Sequence, residues 1–241
     1  MEELPLAPNC KVLKITSDLI FLEKAPGILS HPNSWGKNTS RTQSIIRSPF
    51  DPDEECYKIN NSKSLYLTHR LDSPTSGIMV TSSNKNLAKE IKAKFKSREV
   101  RKTYHAVIFS KDKILAGKWR NFLIKKKLAG KLRVLEGQGK IAESLCSVVK
   151  KPGKENRLAL IKLQPLTGRT HQLRIQCSLR NLPIIGDKTY GDFKINREII
   201  EKTKVKRLCL HATKITIQIR QEKFTLESPL PVEFEQILSS D

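Results

Sequence analysis

The sequence predicts an α+β fold built on a mixed, largely antiparallel β-sheet. Three observations carry that expectation. Segments of period-two alternation recur along most of the chain, helical spacing is confined to few segments, and the two kinds do not follow the βαβ rhythm of a doubly wound parallel sheet. At 241 residues the chain can bury roughly 70 to 75% of the surface that its unfolded form exposes, so a sizeable core is available.

Taken in order, Val12 to Glu23 divides into two short strands around Ser17-Asp18, and Ala25-Pro26-Gly27 supplies the turn that follows. Folding is thus expected to begin near residue 10, with residues 1–9 as an N-terminal tail. From Asn33 to about Ser62 the chain is polar and rich in Ser, Asn and Pro, an excursion expected to be partly mobile, within which Gln43 to Arg47 reads as a short helix. Leu65, Leu67, His69 and Leu71 alternate with Tyr66, Thr68, Arg70 and Asp72 as a strand does. Ile78-Met79-Val80 forms the next strand, which leaves Asp72 to Gly77 as a loop. Ser82-Ser83-Asn84 is a cap signal, after which Leu87, Ala88, Ile91 and Phe95 recur at helical spacing with Lys85, Lys89, Lys92 and Lys96 opposite. That helix is amphipathic and strongly basic.

Tyr104 to Phe109 reads as a strand, and Lys111 to Gly139 breaks into hairpin pieces at Gly117, Gly130, Gly137 and Gly139 around Lys125-Lys126-Lys127. Leu145 to Val149 and Leu158 to Leu163 are strands, the second apolar on both faces and therefore central. Thr170 is placed to cap a helix from His171 to about Arg180, ended by a left-handed Asn181 with Pro183 beyond. Ile215, Ile217 and Ile219 alternate with Thr216, Gln218 and Arg220, then turn through Gln221-Glu222-Lys223 into Phe224-Thr225-Leu226, a terminal hairpin.

Lys and Arg number 45 against 24 Asp and Glu, a net charge of +21. Solubility asks only roughly 2 to 8 of a small domain. The excess points to a polyanionic partner, nucleic acid or an anionic membrane surface. The membrane is disfavoured, because no helix pairs a large apolar face with exposed aromatics and no apolar run approaches the roughly 18 residues of a span. The start, Met1-Glu2-Glu3-Leu4, lacks the features of a signal peptide. Cys10, Cys56, Cys146, Cys177 and Cys209 are widely spaced, which reads as a reduced, cytoplasmic chain. Gly137-Gln138-Gly139-Lys140 lacks the upstream glycine and following Ser or Thr of a phosphate loop, and Cys209-Leu210-His211 is too sparse for a metal site. Neither a metal nor a nucleotide cofactor is expected, so side chains alone carry any catalysis.

His69-Arg70-Leu71-Asp72-Ser73-Pro74-Thr75-Ser76-Gly77 resembles the hallmark of the RluA-type RNA pseudouridine synthases, His-Arg-Leu-Asp followed by Thr-Ser-Gly. Arg101 to Ala106 is similar to that family's Lys-x-Tyr-x-Ala motif, and Leu166-Thr167-Gly168-Arg169-Thr170-His171-Gln172-Leu173-Arg174 matches its third motif almost letter for letter. Pro183 to Gly191 resembles Pro-Ile-x-Gly-Asp-x-x-Tyr-Gly, and Leu210-His211-Ala212 precedes the last strands. Asp18 to Gly27 is like the opening strand and Lys-Pro-x-Gly turn, with Ala25 interrupting the Lys-Pro pair. The resemblance implies a single pseudouridine-synthase-like catalytic domain over residues 10–241, its bent sheet flanked by helices and loops, in the form without an N-terminal S4-like domain.

The implied activity is isomerisation of uridine to pseudouridine in structured ribosomal or transfer RNA, with the target base flipped out. On that resemblance Asp72 is the catalytic carboxylate, as nucleophile or as base on the sugar. Alone, an Asp before Ser-Pro is more ordinarily a turn cap. Arg174 is the expected guanidinium partner that keeps this carboxylate charged against desolvation. Tyr104 is implied to lie against the target uracil and to help the proton leaving carbon 5; stacking on one base is worth about 1 to 3 kcal/mol. Contacts to RNA are expected from Arg70, Arg169, His171, Lys85, Lys89, Lys92 and Lys96, offsetting the few kcal/mol of extruding a base. His69 is expected to support the loop through hydrogen bonding. A monomer is expected. The alternative is a catalytically inactive RNA-binding or RNA-folding module on the same scaffold, against which Asp72, Tyr104 and Arg174 are all present.

Overall fold

The computed structural model describes residues 4–32, 43–128, 131–152 and 157–240. These form thirteen strands and four helices. The chain divides into two compact units, one of residues 1–100 and 215–228, the other of residues 101–214 and 229–241.

In the first unit β1 (Lys11–Ile15) and β2 (Leu19–Lys24) pair antiparallel around Ser17-Asp18, as the sequence predicts. The small strands β3 (Phe50–Asp51), β4 (Cys56–Lys58) and β5 (Ser64–Leu67) form an antiparallel meander that reaches β6 (Ser76–Ser82). Every residue of β6 is buried, and it pairs antiparallel with β2. Helix α1 (Lys85–Ser97) starts at Asn84, whose side chain accepts the amides of Asn86 and Leu87, and ends at a left-handed Arg98. Its buried Leu87 and Ile91 pack with Phe21, Ile78, Val80 and Ile217.

Three expectations change here. Gln43 to Arg47 is not helical: Ser44 and Ile46 bridge to Leu29 and Leu6, and the backbone bonds outward, Ile45 donating to the Leu29 carbonyl (2.8 Å) and Arg47 to the Pro5 carbonyl (2.7 Å), instead of along a helix. The same bridge, with a buried Ala7, draws part of the expected tail into the folded unit. The strand expected through Asp72 stops at Leu67. Beyond it the Thr68 hydroxyl donates to the Val80 carbonyl (2.6 Å) and the Val80 amide donates to His69 Nε2 (2.9 Å), so side chains replace the ladder. Residues 33–42, the first part of the polar excursion, lie outside the described residues.

The second unit contains β7 (Arg101–Phe109), β8 (Gly117–Leu128), β9 (Lys131–Glu136), β10 (Lys140–Lys150) and β11 (Leu158–Pro165). They lie antiparallel in the order β7-β11-β10-β8-β9, with the apolar β11 central as expected. Helix α2 (Gln172–Ser178) is shorter than expected and is not capped by Thr170; His171 takes the cap position with φ 53°. The Gln172 side chain accepts the Thr167 hydroxyl (2.6 Å) and the Arg169 amide (3.0 Å), which turns the chain before the helix can begin. Asn181 is left-handed, as the sequence predicts.

Helices α3 (Phe193–Thr203) and α4 (Val232–Leu238) were not expected. Asp192 caps α3 through the amides of Lys194 and Ile195, and α4 buries Phe234, Ile237 and Leu238 in the main core with Val107, Ile161 and Leu210. Strand β12 (Leu210–Ile219) contributes its first half to this unit, where the Thr213 hydroxyl donates to the Thr103 carbonyl (3.3 Å). Its end belongs to the first unit and pairs with β13 (Glu222–Glu227).

Candidate active site

Asp72 sits on a loop whose backbone is clamped from both sides. The Ser30 hydroxyl donates to the Leu71 carbonyl (2.9 Å) and accepts the Leu71 amide (3.0 Å), while the Ser30 carbonyl accepts the Tyr57 hydroxyl (2.8 Å). On the other side the Ser73 hydroxyl donates to the Gly27 carbonyl and the Gly27 amide donates back to the Ser73 carbonyl, each at 2.9 Å. Gly27 has φ +84°, a conformation open to glycine at no steric cost. The Asp72 carbonyl closes the turn by accepting the Thr75 amide at 3.0 Å. The half-buried carboxylate is therefore carried on a preset backbone, as a nucleophile or base requires.

Lys24 was missed by sequence reasoning and is the centre of this clamp. Its side chain is fully buried, and its ammonium donates to the carbonyls of Ala25 (2.9 Å), Ile28 (2.8 Å) and Ser73 (2.9 Å). An ammonium has three donors, and all three are used. The signal was a lysine ending an apolar strand, Leu-Ile-Phe-Leu-Glu-Lys.

His69 accepts the Val80 amide through Nε2 and stacks on Phe95 with centroids 4.5 Å apart. It braces the loop, in line with the sequence reading. Arg70 is exposed, and its Nη1 donates to His31 Nε2 at 3.1 Å. The His31 Nδ1 proton goes to the Pro32 carbonyl (2.8 Å), and the ring stacks on Phe50 with centroids 5.5 Å apart. A cleft of about 310 Å³ opens beside Arg70, His31 and Phe50.

The lysines of α1 are less uniform than their spacing suggests. Lys85 pairs with Glu54 and Lys92 with Glu55, from the turn between β3 and β4, whereas Lys89 and Lys96 are exposed. Part of the expected basic face is thus neutralised within the protein.

In the second unit Tyr104 is half-buried on β7, opposite Leu163 of β11. Lys102, two residues earlier on the same face of the strand, is held below the usual lysine range by burial. Arg174, in the first turn of α2, is 5% exposed and binds Asp187, 1% exposed, in bidentate fashion: Nε to Oδ2 at 2.7 Å and Nη2 to Oδ1 at 2.8 Å. Asp187 Oδ1 also accepts the amides of Thr189 (2.8 Å) and Tyr190 (3.0 Å). Burial pushes the Asp187 carboxyl up, but the Arg174 bonds and charge and the two amides outweigh it and hold it below the usual carboxylate range.

The guanidinium lies 5.2 Å from the Tyr190 ring centroid. Tyr190 in turn places its hydroxyl 2.8 Å from His171 Nδ1 and accepts the Val134 amide of β9 at 2.8 Å. Asp187 and Tyr190 both fall within the Pro183 to Gly191 motif, which the sequence reading noted without giving them a role. Among the described residues no group of three or more His, Cys, Asp or Glu side chains is placed to hold a metal ion. No described helix is long and apolar enough to cross a membrane.

Residues 18–179 match the family model described as RNA pseudouridylate synthase. The chain belongs to that family and is, in class, an isomerase of RNA. Its relatives place it more narrowly in the RluA-type group. It is 29% identical over 208 residues to the tRNA pseudouridine synthase C of Vibrio cholerae, spanning 82% of this chain and 80% of that protein. It is 35% identical over 177 residues to the ribosomal large subunit pseudouridine synthase C of Rickettsia conorii, spanning 72% of this chain but 56% of that protein. To the dual-specificity RNA pseudouridine synthase RluA of Haemophilus influenzae it is 28% identical over 228 residues, 88% of this chain and 89% of the relative. The fold is like that of human RNA pseudouridylate synthase domain containing 4, with a TM-score of 0.69 at 24% identity over 94% of this chain and 91% of the other.

Proposed function

We propose that the protein converts uridine to pseudouridine in a structured ribosomal or transfer RNA, acting as a cytoplasmic monomer. The observation that carries this reading is the clamp on the Asp72 loop, which fixes a half-buried carboxylate where family resemblance puts the catalytic one. In the reaction the bond from uracil N1 to the ribose anomeric carbon breaks, the base turns, and a bond from C5 to the same carbon forms. The C5 proton is lost and N1 ends protonated, so atoms and electrons balance without a co-reactant. Asp72 acts on the sugar as nucleophile or base, and Tyr104 lies against the base to assist departure of the C5 proton. Arg174 serves as the guanidinium partner of the catalytic carboxylate, its direction set by Asp187. The named substrates of the relatives, transfer RNA in one and large-subunit RNA in another, support the choice of RNA class.

The test is pseudouridine content, nucleotide by nucleotide, in RNA from cells lacking the gene after incubation with wild type or Asp72→Asn. A modification made only by wild type is the expected result. Silence from both proteins, with RNA binding retained, overturns it in favour of an inactive RNA-binding module.

A further inference from the structure

A second cleft lies wholly within the second unit, between the β8–β9 hairpin and the Gly168-Arg169-Thr170 turn before α2. It encloses about 450 Å³, and its walls combine the partly exposed apolar Ile124 with Lys125, Lys140 and Arg169, over buried Leu123 and Val134. Three features give it a purpose beyond packing.

The first is charge. Lys85, Lys92, Lys118 and Arg120 each face a glutamate, but among the described residues none of Lys125, Lys140 and Arg169 has a carboxylate within ion-pair distance. Like charges gathered at one concave surface raise the local potential, and a polyanion relieves it.

The second is preorganisation. Arg169 donates from Nε to the Ile141 carbonyl (3.0 Å), and its amide donates to Gln172 Oε1 (3.0 Å). Gln172, itself buried, is locked by its own bonds to the Glu143 carbonyl and the Ser144 hydroxyl, each 2.9 Å. The stem of Arg169 is thus fixed, while its two terminal nitrogens make no bond to the described residues.

The third is Gly168. Several described glycines are required by a positive φ, as at Gly27, or by close approach, as at Gly139, whose Cβ would stand 2.0 Å from the Leu123 carbonyl oxygen. Gly168 has neither requirement: its φ is ordinary, and a Cβ there would meet nothing within 4 Å. The folded chain gives no reason for a glycine at this point of the cleft wall, whereas a strand lying against the backbone does.

We infer that this cleft is a binding site for the sugar–phosphate backbone of RNA, with phosphates on Lys125, Lys140 and Arg169 and ribose against the apolar wall and Gly168. Only the identity of the polyanion rests on the pseudouridine synthase reading.

The test measures binding of a fluorescein-labelled RNA hairpin with a uridine-containing loop by anisotropy, from about 50 to about 200 mM salt. The full chain carries Asp72→Asn, so that turnover does not intervene. Lys125→Ala and Lys140→Ala each lower the slope of log affinity against log salt by about 0.7 to 0.9, the share of one phosphate, whatever the loop sequence. Gly168→Ala weakens binding by about fivefold or more, equivalent to ~1 kcal/mol. Its thermal midpoint stays at the parent value, because the new methyl group meets only RNA. Unchanged slope and affinity in all three variants overturn the inference, as does a slope that falls only for Lys89→Ala and Lys96→Ala. Because binding is read with an inactive protein, a failed slope leaves the proposed reaction standing, and absence of pseudouridine leaves the slope result standing.

Discussion

Removing the Asp187 carboxylate tests how far the second unit depends on one buried ion pair. Asp187→Ala takes from the Arg174 guanidinium, 5% exposed, its two bonds to Asp187, and takes from the Thr189 and Tyr190 amides the oxygen they donate to. Breaking a buried pair by removing one partner costs about 3 to 5 kcal/mol, since the surviving charge stays desolvated. For a chain of this size each kcal/mol lowers the thermal midpoint by about 2 to 4 °C, so a fall of about 6 to 20 °C is expected. Asp187→Leu combined with Arg174→Met removes both charges and restores most of the loss, because apolar groups of similar volume need no neutralisation. Urea unfolding of Asp187→Leu, Arg174→Met and the double variant completes the cycle, with an expected coupling of at least ~2 kcal/mol. The double variant is stable but makes no pseudouridine, which separates the structural share of Arg174 from its proposed chemical one. Single variants costing less than about 1 kcal/mol, or a cycle additive within about 0.5 kcal/mol, would refute the mutual dependence of the two charges.

The same pair predicts a pH dependence. Because the folded Asp187 carboxyl titrates below the usual carboxylate range, its contribution is complete above the unfolded value near pH 3.9 and is lost as pH falls through the lower folded value. The stability gap between wild type and Asp187→Ala, measured by urea unfolding, should therefore be constant from about pH 7 to about pH 5 and shrink below about pH 4; a gap unchanged down to about pH 2.5 excludes an ionised Asp187. In the first unit, Lys24→Met leaves the carbonyls of Ala25 and Ile28 without their buried donor and the Ser73 carbonyl with the Gly27 amide alone. At about 1 to 3 kcal/mol for each orphaned group the cost is on the order of 3 kcal/mol. Since Ser73 adjoins Asp72, kcat should fall further than KM rises, and an unchanged kcat in a folded variant would show that Lys24 does not set the loop.

Most of the strand framework was legible because burial wrote it into the alternation. Leu158 to Leu163 is apolar on both faces and is central, and the terminal hairpin alternates as read. Asn84 advertised α1 because its side chain satisfies amides that an incipient helix leaves open. Helix α4 gave no such signal: it spans seven residues, starts behind Pro231 without a side-chain cap, and is held by tertiary burial of Phe234 and Ile237. The partners of site residues were the least legible part. Asp187 lies 13 residues beyond Arg174, and Ser30 and Lys24 lie 41 and 49 residues before the backbone atoms they hold. No local pattern encodes such distances.

The Asp72 loop shows how a residue can keep the parity of a strand while giving up its hydrogen bonds. Past Leu67, Arg70 is exposed, Leu71 buried and Asp72 half-buried, as the alternation read from the sequence has it, whereas Thr68, read as outward, is buried because its hydroxyl turns in to the Val80 carbonyl. The ladder itself is gone, because Thr68 and His69 bond to Val80 through their side chains. That exchange frees the backbone of residues 71 to 73, whose polar groups would otherwise be committed to a neighbouring strand. Ser30, Gly27 and Lys24 take up those groups instead. A strand would have fixed the carboxylate at a spacing set by the sheet; a loop clamped by three residues from another segment can fix it where the chemistry needs it, with comparable rigidity.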